Sequence, residues 1–358
     1  MFENTQILKL EQNYRSYGHI INASNHVIKH NTVRNDKTMF TRREAGSPIS
    51  YHVCQNPQEE ASWVRDMIQL QLNIGFACEE IAILYRKNLQ SRLIEQALLE
   101  ARIPYTTLGV SFYERAMIKD LLAFFKLKQN KRDDISFKRV CKQLPGVGEK
   151  TIKDLLNEAK ERRIGPIKLL KEWPFRKTQR KLIDDLLQWL KTEDQTLVQA
   201  VDFILQLTLR RERLESREDD ESHDELELIS EFYQLVQSFE SNGNHSLDDF
   251  LTTVSLQTDR STSETGVTLM TIHSSKGLEF NTVFLIGTEE SILPSERSLK
   301  TLAGLEEERR LMYVAMTRAQ ENLYITSCEE RSDFSSKIYS NDPSRFLSEI
   351  PSSCLLKM

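Results

Sequence analysis

The sequence predicts an α/β fold in which a parallel sheet is interrupted by an all-helical insertion. In residues 1–110, short apolar strands alternate with helical stretches, a pattern typical of a parallel sheet covered by helices on both faces. The strand pattern stops over residues 111–262, where apolar side chains repeat at helical spacing. Strands return in residues 263–358, so we expect the last segment to complete the sheet that the first one begins.

In the first segment, strands are predicted at residues 7–10, 49–54, 81–85 and around Tyr105. The helices are predicted to run up to His30, from Pro57, and over residues 89–101. In the last segment, strands are predicted at residues 267–272, 282–287 and 323–326, with a charged helix from Glu306 between the last two.

The middle segment has the periodicity of helices. Its clearest example is a set of leucines at i, i+4, i+5 and i+8: Leu182, Leu186, Leu187 and Leu190. The acidic run at residues 218–221 is interpreted as a solvated loop or a helix start, with an interaction patch as the alternative.

Composition excludes several classes of protein. The 358 residues carry 53 acidic and 48 basic side chains, a net charge of −5, which is not the balance of a polybasic nucleic-acid tail. Apolar residues make up 39%, and no apolar run is long enough to cross a bilayer. The first residues lack the basic start and apolar stretch of a signal peptide, so we expect a cytoplasmic location.

Cysteines and histidines do not form a recognisable metal site. The five cysteines are far apart, contain no CxxC pair and are predicted to be buried small hydrophobic residues: Cys54, Cys78, Cys141, Cys328 and Cys354. The seven histidines include no HExxH pair. We therefore expect no metal held by the protein itself, so any metal would arrive with a nucleotide.

An arginine falls on the apolar stripe of the helix predicted over residues 305–324. Leu311, Val314, Ala315 and Arg318 stand at i, i+3, i+4 and i+7. A buried guanidinium requires an anionic partner because an unpaired buried charge is costly. Both a carboxylate of the protein and the phosphate of a ligand would satisfy Arg318, and the spacing does not choose between them.

Two further polar segments flank predicted strands. Residues 271–280 carry hydroxyls, an imidazole, a lysine and a glycine, and Glu279 could accept hydrogen bonds from ribose hydroxyls. This segment follows a strand, and ligands of α/β proteins bind at the carboxyl ends of strands. Residues 13–16 follow the first predicted strand, where Tyr14 could stack on a base beside the phosphate-seeking Arg15.

These segments carry a family resemblance. LEQNYRS (10–16), TIHSSKGLEF (271–280) and EEERRLMYVAMTRA (306–319) resemble the fourth, fifth and sixth motifs of the UvrD/PcrA/Rep superfamily 1 DNA helicases, in that order. The resemblance extends over essentially the whole chain, because residues 83–105, 294–299 and 343–351 also fit the family. It implies a RecA-like lobe of the P-loop NTPase type, termed 2A, interrupted by a helical accessory domain, termed 2B.

The resemblance also implies a nucleotide role for the amino-terminal motif and its partners. Arg15 and Arg318 would reach the γ-phosphate of ATP as arginine fingers. Tyr14 would stack on the adenine, and Glu279 with the Gly277 backbone would bind the ribose. The implied cofactor is ATP with Mg²⁺, held mainly by an N-terminal ATP-binding lobe of the same polypeptide.

Other motif positions resemble contacts to single-stranded DNA. The expected backbone contacts are Arg86, Asn88, Thr271, His273 and Lys276. Phe334 resembles an aromatic residue on which a base stacks, and a core phenylalanine is the alternative.

The insertion contains LPGVGEKT (144–151), which opens a helix predicted over residues 152–163. It lacks the GxxxxGK[ST] spacing and follows a helical stretch, so it is interpreted as a helix-hairpin-helix element that grips duplex DNA through Gly146, Gly148 and Lys150. A glycine-rich turn between two helices is the alternative.

No GxxxxGK[ST] occurs in these residues, and residues 284–290 only imitate a strand that ends in metal-binding acids. We therefore expect a C-terminal fragment with negligible ATPase activity alone, monomeric, away from membranes and weakly bound to DNA in a salt-dependent manner. The expected parent is an ATP-dependent 3′ to 5′ helicase acting on single strands and single/double-strand junctions. A stand-alone, non-enzymatic DNA-binding or regulatory module is the alternative.

Two positions depart from the family pattern. Tyr17 stands where the family usually has Thr, and residues 293–295 read Leu-Pro-Ser where Phe-Pro-His is common. The second departure puts in doubt whether that loop contacts DNA. The pathway, whether repair, replication or recombination, is left open.

Overall fold

The computed structural model describes residues 10–34, 37–108, 112–217, 220–241, 243, 246–260, 265–332 and 338–358. The chain forms two compact units. The first contains Met1–Ser111, Arg260–Ser332 and Ile338–Met358, and the second contains Phe112–Asp259. The boundaries predicted from sequence were 110/111 and 262/263.

In the first part of unit 1, the strands are β1 (Gln12–Asn13), β2 (Phe40–Thr41), β3 (Ile49–Cys54), β4 (Ile81–Tyr85) and β5 (Tyr105–Leu108). The helices are α1 (Gly18–Ile28), α2 (Pro57–Asn73) and α3 (Ser91–Glu100). Helix α2 begins where Asn56 accepts a hydrogen bond from the Glu59 amide and proline occupies the first turn.

The described part of unit 2 is helical, as its periodicity predicted. Its helices are α4 (Ala116–Gln129), α5 (Asp134–Gln143), α6 (Glu149–Glu161), α7 (Pro166–Glu172), α8 (Lys177–Trp189), α9 (Leu197–Thr208), α10 (Arg210–Glu215), α11 (Asp220–Ser241) and α12 (Leu247–Arg260). Helix α8 buries the leucines Leu186 and Leu187. Residues 218 and 219 of the acidic run lie outside the described residues, and α11 begins at Asp220.

The chain then returns to unit 1. The strands are β6 (Val267–Thr271), β7 (Phe280–Leu285), β8 (Ala319–Cys328), β9 (Glu330–Ser332), β10 (Ile338–Ser340) and β11 (Leu355–Lys357). The helices are α13 (Leu302–Met316) and α14 (Arg345–Ser348).

Seven strands form one sheet in the order β11-β3-β8-β7-β4-β6-β5. All six pairings in it are parallel. The fold is therefore α/β, as predicted, with strands from both parts of unit 1 in the same sheet. Strand β6 lies between β4 and β5, so the chain after the helical unit completes the sheet.

Helices cover both faces of the sheet. Along β4, Ala82 and Leu84 belong to a core shared with α1 and α13, whereas Ile81 and Ile83 belong to a core shared with α2 and α3. This alternation follows from the two-residue period of a strand. Because both faces are buried, the strand sequence is a continuous apolar run.

The helix predicted over residues 305–324 is wrong at its carboxyl end. Helix α13 ends at Met316, and residues 319–328 form β8, which lies between β3 and β7. The Thr317 hydroxyl donates to the carbonyls of Tyr313 and Val314 as the helix ends. The following run from Leu323 to Thr326 is rich in β-branched and aromatic residues, which favour a strand.

The predicted first strand and the predicted burial of the cysteines differ in detail from the structure. Residues 7–9 of the first predicted strand lie outside the described residues, and a strand is found instead at Gln12–Asn13. Four of the five cysteines are buried, but Cys78 is partly exposed. Among the described residues, no helix combines the length and apolar character needed to cross a bilayer.

Candidate functional site

The predicted site residues of unit 1 lie at two opposite edges of the sheet. These are the amino edge, where the parallel strands begin, and the carboxyl edge, where they end. Residues 272–279 connect the carboxyl end of β6 to the amino end of β7, and these strands are both parallel to β4. The single polar segment therefore crosses from one edge to the other. The expectation that it lies at the carboxyl edge is right for His273 and wrong for Glu279, which directly precedes β7.

At the amino edge, a tight turn presents the first motif. The Asn13 side-chain oxygen accepts hydrogen bonds from the amides of Arg15 (2.8 Å) and Ser16 (2.9 Å). The buried Ser16 hydroxyl donates to the carbonyl of Ala319 at 2.6 Å, which fixes the turn to the start of β8. Tyr14 is left 79% exposed, so its ring is available for stacking.

Arg15 and Glu279 form an ion pair at this edge. The Arg15 Nε lies 2.5 Å from a Glu279 oxygen, and its Nη1 donates to the carbonyl of Thr317 at 3.2 Å. The second Glu279 oxygen accepts from the side-chain amide of Gln320 at 3.0 Å. Gln320 was not among the predicted residues, because a glutamine near the start of a strand carries no sequence signal for this role.

Arg318 lies in the turn between α13 and β8, so its predicted place on the helix stripe is wrong. Its guanidinium donates to the carbonyls of Leu278 (2.9 Å) and Val314 (3.1 Å). Within the described part of the chain it has no carboxylate within ion-pair distance, so the internal salt bridge is not what the structure shows. Burial and the nearby positive charge of Arg15 lower its pKa, with Glu279 opposing.

Arg15, Glu279, Thr317, Arg318 and Gln320 are called here the amino-edge cluster. Both guanidinium groups contact Thr317, since the Arg318 Nη2 lies 3.4 Å from its hydroxyl. Gly277, two residues before Glu279, has φ of +92°, a left-handed conformation that glycine adopts without strain. Two positive groups thus lie side by side at a solvent-accessible edge.

Arg43 supports this cluster and was missed by the sequence analysis. Its guanidinium donates to the Arg15 carbonyl and stacks over the Tyr17 ring, 4.1 Å from the ring centre. The Tyr17 side chain packs against Gly46, where an added Cβ atom would come within 2.6 Å of the Tyr17 Cβ. Tyr17 therefore has a structural role at the position where the family usually has Thr.

At the carboxyl edge, Arg86 follows β4 and forms an ion pair with Glu308 of α13. Its Nη2 lies 2.8 Å from one carboxylate oxygen, and its Nε lies 3.1 and 3.2 Å from the two. Glu308 also accepts hydrogen bonds from the backbone of Ser295 and from the hydroxyls of Ser295 and Ser298. Arg86, His273, Ser295, Ser298 and Glu308 are called here the carboxyl-edge cluster.

Burial opposes the charge of Glu308, but the hydrogen bonds and positive charge of Arg86, with hydrogen bonds from Ser298 and Ser295, outweigh it and lower its pKa. Burial and the charge of Arg86 lower the pKa of His273, while Glu308 and Glu307 oppose that shift. His273 is therefore expected to be neutral near pH 7.

The remaining predicted contacts in unit 1 surround this cluster. The Thr271 hydroxyl lies 2.9 Å from the Ser274 hydroxyl and accepts from the Ser274 amide, which shapes the turn. Lys276 and Asn88 are exposed. Phe334 lies outside the described residues.

A buried ionic group near the carboxyl edge was also missed. Arg331 donates to Glu289 at 2.6 Å and to Glu60 at 3.2 Å, and Glu289 is fully buried. Glu60, Glu289 and Cys328 bring potential metal-ligand atoms within 4.8 Å of one another. The Arg331 guanidinium forms ion pairs with both carboxylates, which accounts for the buried acid that follows β7. Glu60 could have been found, since it precedes Ala61 and Val64 on the buried face of α2.

In unit 2, the predicted glycine-rich element joins α5 to α6. Gly146 has φ of +81°, and its carbonyl accepts from the side-chain amide of Gln179, so that carbonyl is already engaged. Gly148 caps α6, and its missing Cβ leaves open space. Lys150 is exposed in the first turn. The segment is a turn between two helices, which is compatible with both interpretations.

The chain is similar to proteins of one family throughout. A family described as "UvrD-like helicase C-terminal domain" matches residues 8–330. The ATP-dependent DNA helicase PcrA of Staphylococcus epidermidis (strain RP62A) is 39% identical over 372 residues, which cover 99% of this chain and 51% of the relative. The same-named protein of Staphylococcus aureus (strain MRSA252) is 41% identical over 365 residues, covering 97% and 50%.

The chain thus spans about half the length of the curated relatives it matches. A solved structure described as the C-terminal domain of a possible DNA helicase from Lactobacillus plantarum WCFS1 aligns with a TM-score of 0.38 and 10% identity. That alignment covers 96% of this chain and 98% of the solved chain.

Proposed function

The chain belongs to the UvrD-like helicase C-terminal domain family, and from this premise we propose that it is the phosphate-sensing and DNA-contacting part of an ATP-dependent DNA helicase. The observation that carries the proposal is the pair of guanidinium groups, Arg15 and Arg318, which both contact Thr317 at an accessible edge of the sheet. A pure binding module has no need for two such groups at one point.

In this proposal the amino-edge cluster faces ATP. Arg15 and Arg318 stabilise the charge that develops on the γ-phosphoryl oxygens during transfer. Glu279 accepts hydrogen bonds from the ribose, with the Gly277 backbone beside it, and the exposed Tyr14 stacks on the adenine. Binding of ATP then requires Arg15 to exchange its contact with Glu279 for a phosphate oxygen.

The 358 residues contain no GxxxxGK[ST] segment, so Mg²⁺-ATP is held mainly by an ATP-binding lobe that carries one. Arginine fingers without the phosphate-binding lysine and the metal-binding acid have little to act upon. We therefore propose that this chain alone hydrolyses ATP negligibly.

A single strand of DNA is proposed to run along the carboxyl edge. Lys276, Thr271 and Asn88 offer one charge and two hydrogen-bonding groups, and His273 adds a neutral imidazole. In unit 2, Gly148 and Lys150 at the start of α6 would approach a duplex phosphate. The family resemblance implies a parent helicase that acts on single/double-strand junctions and translocates from 3′ to 5′.

The test is a chimera in which this chain replaces the matching half of the S. aureus relative. The chimera is expected to hydrolyse ATP when single-stranded DNA is added, and Arg318→Ala should lower kcat by at least about 1,000-fold, as for other arginine fingers. Arg65→Ala is the matched control because Arg65 pairs with Asp66 on the surface of α2. Full activity of the Arg318→Ala chimera would contradict the proposed role of this arginine.

A further inference from the structure

Glu308 is the most heavily engaged carboxylate of the carboxyl edge. Its side chain is only 3% exposed, and it accepts hydrogen bonds from Arg86, Ser295 and Ser298. These donors come from two separate segments, one after β4 and one before α13. The carboxylate therefore joins the segment that carries Arg86 to the helix that ends beside Arg318.

Arg86 uses only part of its guanidinium in this contact. Its Nε and Nη2 donate to the Glu308 oxygens, while Nη1 has no hydrogen-bond partner among the described residues. The Arg86 side chain is 22% exposed, so one edge of the group can meet a ligand. If Arg86 left Glu308 for a phosphate, a buried carboxylate would lose its counter-ion, which is strongly unfavourable.

We propose that Glu308 is a positioning residue that keeps Arg86 as one half of a neutral pair. Arg86 then donates a directed hydrogen bond to a phosphate of the DNA strand, but its pair with Glu308 adds no net positive charge. The charge that neutralises the DNA strand comes from Lys276. Lys276 is exposed and has no ion pair in the described part of the chain. The inference rests on the proposed function, because it presumes that a nucleic-acid strand follows this edge.

The salt dependence of binding separates a neutral donor from a counter-charge. For single strands, the slope of log K against log salt changes by about 0.7 for each phosphate that a protein charge neutralises. The experiment measures binding of a fluorescent oligo-dT to the full 358-residue chain over a range of salt concentrations. Lys276→Ala is expected to reduce the slope by about 0.7.

Arg86→Ala is expected to weaken binding about tenfold. Because this variant leaves Glu308 without a counter-ion, the double variant Arg86→Gln with Glu308→Gln is measured as well. It removes both charges together and should show weaker binding with the slope of the wild type. Arg65→Ala should change neither quantity.

A second readout does not need DNA. The pKa of His273, followed by NMR, responds to the groups that face it, which are Arg86, Glu308 and Glu307. Removing the charge of Arg86 should raise this pKa, and Glu308→Gln with Arg86 in place should lower it. A disrupted fold would not shift the pKa in opposite directions in the two variants.

Each outcome decides between the hypotheses. A slope in the double variant reduced as much as in Lys276→Ala would overturn the inference, because Arg86 would then act as a free charge. Unchanged affinity in Arg86→Ala and in the double variant would overturn it as well. If the wild-type chain does not bind oligo-dT at low salt, the proposed function fails and the inference with it, and the His273 titrations then show whether the ion pair itself forms.

Discussion

The two edges of the sheet hold their charged groups in different ways. At the amino edge, Glu279 is 49% exposed and Arg15 is 26% exposed, and each retains contact with solvent. At the carboxyl edge, Glu308 is 3% exposed and fully engaged by protein donors. The comparison teaches that one edge leaves its charges free to change partners, whereas the other builds its ion pair into the fold.

The largest effect expected from this difference is on stability. Glu308→Ala should lower the free energy of unfolding by about 3 kcal/mol, because it leaves Arg86 and the serine donors without their acceptor. Glu279→Ala should lower it by less than about 1 kcal/mol, because exposed ion pairs contribute little. Urea unfolding of both variants measures the difference, and equal losses would break the comparison.

The effect on ATP binding should have the reverse order, with Glu279 contributing more than Glu308. In the chimera, Glu279→Ala is expected to raise the KM for ATP about tenfold, because the ribose loses its hydrogen-bond acceptor. Steady-state hydrolysis over a range of ATP concentrations gives this value. The control Glu307→Ala changes an exposed carboxylate that pairs with Arg310, and its KM should match the parent chimera. An unchanged KM in Glu279→Ala would argue against the ribose contact.

The dependence of stability on pH sharpens the same comparison. The pKa of Glu308 is lowered in the folded protein, so the carboxylate stabilises the fold above the ordinary glutamate value of 4.5 and loses this effect as pH falls through the folded value. The stability difference between wild type and Glu308→Gln should therefore be largest near pH 7 and shrink below pH 4.5. A difference that stays constant down to pH 3 would show that the charge of Glu308 is not responsible.

The smallest expected effect concerns the support of the amino edge. Arg43→Ala removes a hydrogen bond to the Arg15 carbonyl and a cation–π contact with Tyr17, and should cost about 1 kcal/mol of stability. Tyr17→Phe retains the ring and should be neutral. Thermal unfolding of the two variants tests this, and a loss in Tyr17→Phe equal to that in Arg43→Ala would point to the hydroxyl and not to the ring.

The sequence was sufficient for six of the seven strands of the sheet, since β11 was not predicted, but not for the pairing of the charges. Strand β4 coincides with an apolar run, because a strand buried on both faces cannot contain polar breaks. Helix α13 was extended too far because Ala315 and Arg318 continue a helical spacing by coincidence, whereas strand pairing with β7 and β3 decides the structure after Met316.

The same periodicity could have identified Glu308. It stands on the apolar face of α13 with Leu311, Met312 and Ala315, so its burial could be predicted from the spacing. Its partner could not, because Arg86 lies 222 residues away in the chain. Pairing across such a distance is set by the order of strands in the sheet and not by local pattern.

Helix α13 connects the parallel strands β7 and β8. It therefore extends from the carboxyl edge, where Glu308 lies, to the amino edge, where Arg318 follows its last turn. Over its 15 residues it is a stiff element about 22 Å long. If a strand of DNA shifts this helix, the affinity for ATP changes by some factor, and thermodynamic linkage then requires ATP to change the affinity for DNA by the same factor. In the proposed function, this helix would therefore couple the affinity for ATP at one edge to the affinity for DNA at the other.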